Sequence, residues 1–328
     1  MRLPSLYLMK KTAAILSFLI ISFLSSTAYA FDGPLQVKNQ FPLFLHITAP
    51  SLERTIIENS FSTSLSYSSV YLTRDVSEWS MGLDMEIAEL NLRFKKTIRD
   101  FLELGVELPV LSFNSGFMDD FLHTYHSASG FSDYGRHNRP ENKFLYEVRR
   151  NGVLIVKGET GRIGIGDIKF TLKKPLLTGD PAVSIKGDIE LPTGDAKTGF
   201  GNGSIDAAIA LLVDKNIGET FRAHVNLGGV FPGDLRGHER VHLRTFMYGG
   251  AALEAALRKN VTLIGQLFIQ QSPFPETGIG QVDRTAVLLS LGGRYYSGNN
   301  ILEVSLTEDP NTAGAADFTL NCSLKRRF

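Results

Sequence analysis

From about residue 60 to the last residue, apolar and polar positions alternate with a period of two. Val183, Ile185, Ile189 and Leu191 share one side of a pleated chain, and Ser184, Lys186, Asp188 and Glu190 share the other. Phe221, Ala223, Val225 and Leu227 likewise oppose Arg222, His224 and Asn226, and Ile168, Phe170 and Leu172 oppose Asp167, Lys169 and Thr171. This spacing is that of β-strands with one apolar face. It predicts twelve strands, at 61–72, 82–96, 100–111, 163–175, 182–192, 203–213, 220–231, 243–257, 261–271, 284–296, 300–308 and 317–328. Strands of ~9–11 residues are long enough to cross a bilayer. The second strand changes phase between Ile87 and Leu90, which predicts a bulge near Ala88.

The connections separate a soluble sandwich from a membrane barrel. One set is short, at 97–99, 176–181, 214–219, 258–260 and 297–299. The alternating set is longer, at 73–81, 112–162, 193–202, 232–242, 272–283 and 309–316. Short periplasmic turns alternating with longer external loops, on an even number of strands, is the outer-membrane pattern. The fold class expected is therefore all-β: a transmembrane, antiparallel, up-and-down barrel of about 12 strands, within a range of 10–14. Its apolar faces turn to lipid and its charged faces to the lumen.

Residues 112–162 are too long for a passive loop. Phe117, Met118, Phe121, Leu122 and Tyr125 recur at helical spacing, and two apolar runs flank Asn151-Gly152, a hairpin signal. A short helix followed by a hairpin is expected, lying over the barrel mouth or folded into it.

Both chain ends carry information. Lys10 and Lys11, the apolar run Ala13–Leu24 and Ala28-Tyr29-Ala30 read as a signal peptide over residues 1–30, cleaved in the mature protein. An uncleaved anchor helix is the other reading. Residues 31–58 precede the first strand and are expected to form a periplasmic or plug segment, leaving 59–328 for the barrel. At the other end Phe318, Leu320, Cys322 and Leu324 alternate with polar residues up to the terminal Phe328. This run resembles the last strand of outer-membrane proteins, which ends in Phe and is read by the insertion machinery. Arg326 departs from that pattern.

Composition narrows the function. Removing Arg2, Lys10 and Lys11 from the 34 basic residues leaves 31 against 34 acidic ones, which argues against a nucleic-acid partner. Cys322 is the only cysteine, so neither an intramolecular disulfide nor a thiolate metal cluster can form. Beyond the signal no apolar run approaches a spanning helix.

Gly116-Phe117-Met118-Asp119-Asp120-Phe121, His126, Gly130-Phe131 and Gly135-Arg136, with Val37-Lys38-Asn39-Gln40-Phe41-Pro42-Leu43 near the mature N-terminus, resemble the signature of the uncharacterised DUF3187 family of bacterial outer-membrane β-barrel proteins. The resemblance implies that fold and no assigned activity. Gly166-Asp167, Glu190-Leu191-Pro192-Thr193-Gly194-Asp195 and Gly201-Asn202-Gly203-Ser204 are more distantly similar to outer-membrane porins for aromatic compounds.

Candidate chemistry is sparse. Asp119, Asp120, His123 and His126 fall within one helical stretch, where a carboxylate and two imidazoles could reach one divalent ion. A solvated or lumen-facing helix held by hydrogen bonds is the preferred reading, and no fourth ligand is near, so neither metal nor cofactor is expected. His126-Ser127 suggests a lipid hydrolase only weakly, because adjacent helical residues diverge by about 100° and no nucleophile elbow is present. Gly161–Gly166 leads into a strand and not into a helix, so it is no phosphate loop. The expected lumen lining has both signs: Asp167, Lys169, Lys186, Asp188, Glu190, Arg222, His224 and Arg244, with Asp84 and Glu86 among others on the second strand. Mixed charge suits ion pairs filling a narrow barrel, or a path for polar, uncharged or amphipathic solutes.

The expected function is a channel or passive transporter for small molecules in the Gram-negative outer membrane, in contact with its lipid, with 31–58 and 112–162 gating or plugging it. Asp119, His126 and Arg136 would anchor the loop to the wall, and Asn39 belongs to the same plug group. The alternatives are a structural or interaction barrel with a blocked lumen, and an outer-membrane lipid-modifying enzyme.

Overall fold

A computed structural model describes residues 31–120, 122, 124 and 142–328. Twelve of its strands close a ring: β1 (Ser60–Val76), β2 (Trp79–Ile98), β3 (Leu102–Asn114), β7 (Ile168–Leu177), β8 (Ala182–Leu191), β9 (Asp206–Ile217), β10 (Phe221–Phe231), β13 (Phe246–Arg258), β14 (Val261–Gln270), β15 (Ala286–Ser297), β16 (Asn300–Glu308) and β17 (Phe318–Arg327). Each pairs antiparallel with its neighbour, and β1 closes the ring on β17 from Ser60↔Arg327 to Ser69↔Phe318. Closure leaves the ring without a free edge, so its backbone polar groups are paired within the sheet, as hydrocarbon requires. No helix among the described residues is long and apolar enough to cross a membrane.

The wall reads alternately along each strand. Phe61, Leu65, Phe94, Leu104, Ile189, Leu211, Leu227, Leu267, Leu291 and Leu320 are exposed outward and form the lipid-facing band. Between them the inward residues are buried, among them Ser60, Ser62, Ser64, Ser66 and Ser68 on β1 and Lys169, Lys173, Lys186, Asp188 and Glu190 on β7 and β8.

Three elements differ from expectation. The 73–81 connection is no loop: β1 and β2 run on to a turn at residues 77–78, with Ser77 at φ 51°. The bulge at Ala88 is absent, since β2 pairs in unbroken register with β1 and β3. The phase change has another cause. Below Ala88, Glu89, Asn91, Arg93 and Lys95 face inward and Leu90 and Phe94 outward. Above it, Trp79, Met81, Leu83, Met85 and Ile87 face inward into an apolar core, while Asp84 and Glu86 face outward. β1 and β3 invert at the same height, where Val70 and Leu72, and Leu111 and Phe113, turn inward. The wall passes there from a lipid-facing sheet to one built like a soluble protein, with its apolar side within.

The third difference is the 112–162 insertion. Its hairpin forms as β4 (Leu145–Arg150) and β5 (Val153–Lys157), turning at Asn151 (φ 49°) and Gly152 (φ 77°). It does not lie free over the mouth: β4 pairs with β2 from Trp79↔Arg150 to Asp84↔Leu145, extending the wall. β6 (Ile163–Ile165) pairs with β3. The helical turn, marked by Leu122 N–H donating to Met118 O at 2.8 Å, packs on the outside of the wall. There Met118 and Leu122 cover Phe318 and Tyr67. A small ribbon, β11 (Leu235–Arg236) with β12 (Arg240–Val241), decorates the loop before β13.

Candidate functional site

The lumen is occupied by residues 31–58. This segment rises along one side, turns near a single helical turn at Pro42–Leu45, and descends into β1. Polar side chains of the wall satisfy its backbone step by step, as burial demands. On the rising limb, Glu254 accepts Asp32 N–H (3.1 Å), the Gln266 amide oxygen accepts Leu35 N–H (2.9 Å), and Glu303 accepts Gln36 N–H (2.8 Å). On the descending limb, Glu190 accepts Thr48 N–H (2.9 Å), Asn226 accepts Glu53 N–H (2.7 Å), Asp214 accepts Thr55 N–H (2.8 Å) and Glu103 accepts Glu58 N–H (2.7 Å).

The charges inside are paired across this segment. Glu53 lies 2.6 Å from Lys95, 3.6 Å from Lys173 and 3.6 Å from Lys186. Asp32 and Glu58 share Lys325, Arg327 and Arg54 at the end of the barrel that carries the short turns. Arg294 binds Glu254 (2.8 Å) and Glu303 (2.6 Å) and donates to the carbonyls of Gly33 and Pro34 (both 2.5 Å). At the opposite end Phe41, Leu43, Phe44, Leu45 and Ile47 join Leu83, Met85, Phe113, Tyr146, Phe200, Phe246 and Phe274 in one apolar dome. The lumen therefore has a charged lower part and a greasy cap. A polar cavity of about 30 Å³, room for a water, remains between the limbs, beside Ser60, Ser62 and Lys325.

The expected lumen residues divide. Lys169 lies 3.4 Å from Glu107 and donates to Ala49 O, and Lys186 lies 3.1 Å from Asp188, which also accepts from Thr171. His224 Nδ1 is 2.7 Å from Asp214, with Arg222 3.6 Å from the same carboxylate. Glu190 holds Thr48 as above. Asp167 sits between β6 and β7 at the dome end, accepting from Gly194 and Asn202 N–H, and burial pushes its carboxyl up to about 6. Arg244 is a correction: it lies in the connection before β13 and is exposed, because the strand begins only at Phe246. Asp84 and Glu86 are also corrections, facing outward for the reason given above.

Of the loop and plug group, Asn39 lies in the lumen, where its amide donates to Gly314 O (2.6 Å) and its oxygen accepts Phe41 N–H. Asp119 is buried and accepts Asn142 N–H (2.6 Å), whereas Asp120 is exposed. His123, His126 and Arg136 lie outside the described residues, as does the signal segment 1–30. No metal-binding group of three ligands occurs among the described residues. Phe328 stacks on Phe94 (6.1 Å), and Arg326 pairs with Phe61 on the outer face at the short-turn rim, which accommodates its charge.

Sequence reasoning did not single out Glu53, Arg54, Glu58, Lys173 or Arg294, which carry the densest contacts. The inward phase of β7 and β15 was the signal available for Lys173 and Arg294. The plug residues sit in no periodic element and gave none.

A closed, twelve-stranded antiparallel barrel with an apolar outer band and a charged, plugged interior is an outer-membrane β-barrel. The chain belongs to the family described as protein of unknown function (DUF3187), whose model matches residues 12–328. Among solved structures it is similar to the COG4313 outer membrane channel from Pseudomonas putida F1, at 15% identity and a TM-score of 0.55, covering 84% of this chain and 97% of that one. The NanC porin (6% identity, TM-score 0.46, 82% of this chain and 100% of that one) is less similar. So is the toluene transporter TbuX of Ralstonia pickettii (9%, 0.43, 89% and 99%). The first supports the fold, and the latter two carry no argument. No protein of curated function matches the chain.

Proposed function

We propose that the protein is an outer-membrane channel or passive transporter for small molecules, closed by residues 31–58 in the state described. One observation carries this reading. The lumen is filled by a separate segment that enters and leaves on the same side, so its withdrawal would break its bonds to wall side chains but no hydrogen bond between strands of the barrel. Barrels wider than about eight strands enclose space that wall side chains alone do not fill. The similar Pseudomonas structure is itself named a channel. The reading includes export with cleavage after Ala30, insertion guided by the strand ending in Phe328, and residence in Gram-negative outer-membrane lipid.

A tethered plug tests it. Leu35, Val37, Ala252 and Ile264 form one buried cluster between plug and wall. A Leu35→Cys, Ala252→Cys pair in a Cys322→Ser background should lock the segment when oxidised. Liposome swelling and planar-bilayer current are expected with the reduced protein and lost on oxidation. The rival, a structural barrel with a blocked lumen, is favoured by the apolar dome that seals the far end. Absence of flux in wild type, in the reduced pair and in a plug-loosened Arg294→Met variant would overturn the channel reading in its favour.

A further inference from the structure

Residues 31–58 are held mainly through their backbone, to which the wall offers carboxylate and amide oxygens. Near the end of the barrel that carries the short turns the relation reverses: the segment presents carboxylates and the wall presents cations. In register, Ser60 stands between Arg327 and Lys95, and Ser62 between Lys325 and Arg93. Four cations thus flank a pair of serines on three adjacent strands, β17, β1 and β2. β17 contains no acidic residue, and Ser60, Ser62, Ser64, Ser66 and Ser68 make up the inward face of β1 there. Asp32 and Glu58 of the segment sit against Lys325 (2.6 and 3.1 Å) and against Arg327, and Glu53 against Lys95 (2.6 Å). The water-sized cavity between the limbs lies among these groups.

The wall does not balance this charge by itself. Arg93 has Glu107 at 2.8 Å, Lys173 has Glu103 at 3.0 Å and Lys186 has Asp188 at 3.1 Å. Among the described residues Lys325 and Arg327 meet no carboxylates except those of Asp32 and Glu58. Lys95 has only a share in Glu103, at 3.5 Å. With the segment withdrawn, these three cations would line one side of the lumen without a counter-charge, and an unpaired charge in a confined site is costly. A solute that carries carboxylates would restore what the segment supplied, and arginine takes a carboxylate with a fork of donors. The surplus on the wall is therefore matched by an anion in either state.

We propose that residues 31–58 close the lumen by standing in for the solute: Asp32, Glu53 and Glu58 occupy a wall site, made by Lys95, Lys325 and Arg327, that takes small molecules bearing two or more carboxylates. The proposal rests on the channel reading above, whose substrate class it names. The probe is citrate, titrated into the full mature chain in micelles at fixed ionic strength and followed by calorimetry. Asp32→Asn with Glu58→Gln removes the competing carboxylates and should bind citrate about tenfold more tightly than wild type, because a site occupied nine-tenths of the time shows a tenth of its affinity. Adding Lys325→Met and Arg327→Met should abolish the gain. A second reading needs no variant to close the lumen. At twice the dissociation constant of the double variant, citrate should speed amide exchange of residues 53–58 in wild type about threefold over potassium chloride of equal ionic strength. Equal citrate affinity in wild type and the double variant, a gain that survives the loss of both cations, an equal gain for sulfate or for uncharged sorbitol, or exchange unchanged by citrate overturns the proposal. Binding is read without flux. A barrel that shows these effects but never conducts therefore sinks the channel reading alone, and one that conducts without them sinks this proposal alone.

Discussion

Glu86 faces away from the lumen, yet it is 2% exposed, because the start of the long insertion is folded over it. Its carboxylate accepts Phe117 N–H (2.9 Å) and Met118 N–H (2.5 Å) and the Tyr67 hydroxyl. Glu86→Leu removes the acceptor of all three bonds. Hydrogen bonds to a charged group contribute ~1.5–3 kcal/mol each, but the stranded amides recover water when the segment lifts. A net loss of about 3 kcal/mol in docking is therefore expected, or roughly a hundredfold more of the undocked form, since 1.4 kcal/mol is tenfold. Amide hydrogen exchange at Phe117 and Met118 in micelles should accelerate by that factor, while strand amides of β8 and β9 stay protected. Gly116→Ala should have the same effect with Glu86 intact. Its φ is +77°, and an added Cβ would stand 1.9 Å from the Glu86 carboxyl carbon. Exchange within twofold of wild type in both variants would refute the idea that this carboxylate holds the segment to the wall.

Other outcomes follow from the same geometry. Arg294→Met strands the buried Glu254 and Glu303, and breaking a buried pair costs ~3–5 kcal/mol; the urea midpoint in micelles should fall, and residues 31–40 should become open to protease. Asp309 accepts Asn311 N–H (3.2 Å) and Ala313 N–H (2.8 Å), and burial pushes its carboxyl up to about 6. A carboxyl raised in the folded state contributes stability below its unfolded value near 4 and loses it as pH rises through 6. Exchange in the 309–317 loop, corrected for intrinsic rate, should thus be slower at pH 4.5 than at 7.5 by about tenfold, and Asp309→Asn should flatten that difference. In the dome, Gly194→Ala would set a Cβ 2.1 Å from Phe200 O, and it should loosen the 192–205 loop without altering the lipid-facing strands, as read by the same exchange profile.

The barrel was legible because lipid on one side and a polar lumen on the other impose a period of two on every strand. Leu191 opposite Glu190, or Val225 opposite His224, is enough to assign the two faces. Where that contrast ends, the sequence pattern no longer separates the two faces. The inverted stretch Trp79–Ile87 keeps perfect pairing, but its inward side meets Phe44 and Leu45 and not charge, so a change of environment gives the same sequence pattern as a bulge. Arg244 has the parity of an inward residue, but the strand that would carry it begins only at Phe246. The plug contacts were illegible for a different reason: Glu53 meets Lys95, Lys173 and Lys186 only because three distant strands bring them together, and no local pattern records that.

The height at which β1, β2 and β3 exchange their faces also fixes how deep the protein sits. Above that line the outward positions carry Asp75, exposed, with Asp84 and Glu86 buried beneath neighbouring chain, and below it they carry Leu65, Leu90 and Phe94. Sinking the barrel by a pair or two would drag carboxylates toward hydrocarbon; charged groups on a lipid-facing wall cost little near the interface and as much as ~2–4 kcal/mol at the midplane. Raising it would wet a ring of leucine and phenylalanine at ~25 cal/mol for each Å² uncovered. Vertical registration is thus written into three neighbouring strands, and it holds the greasy cap outside the bilayer whatever the contents of the lumen.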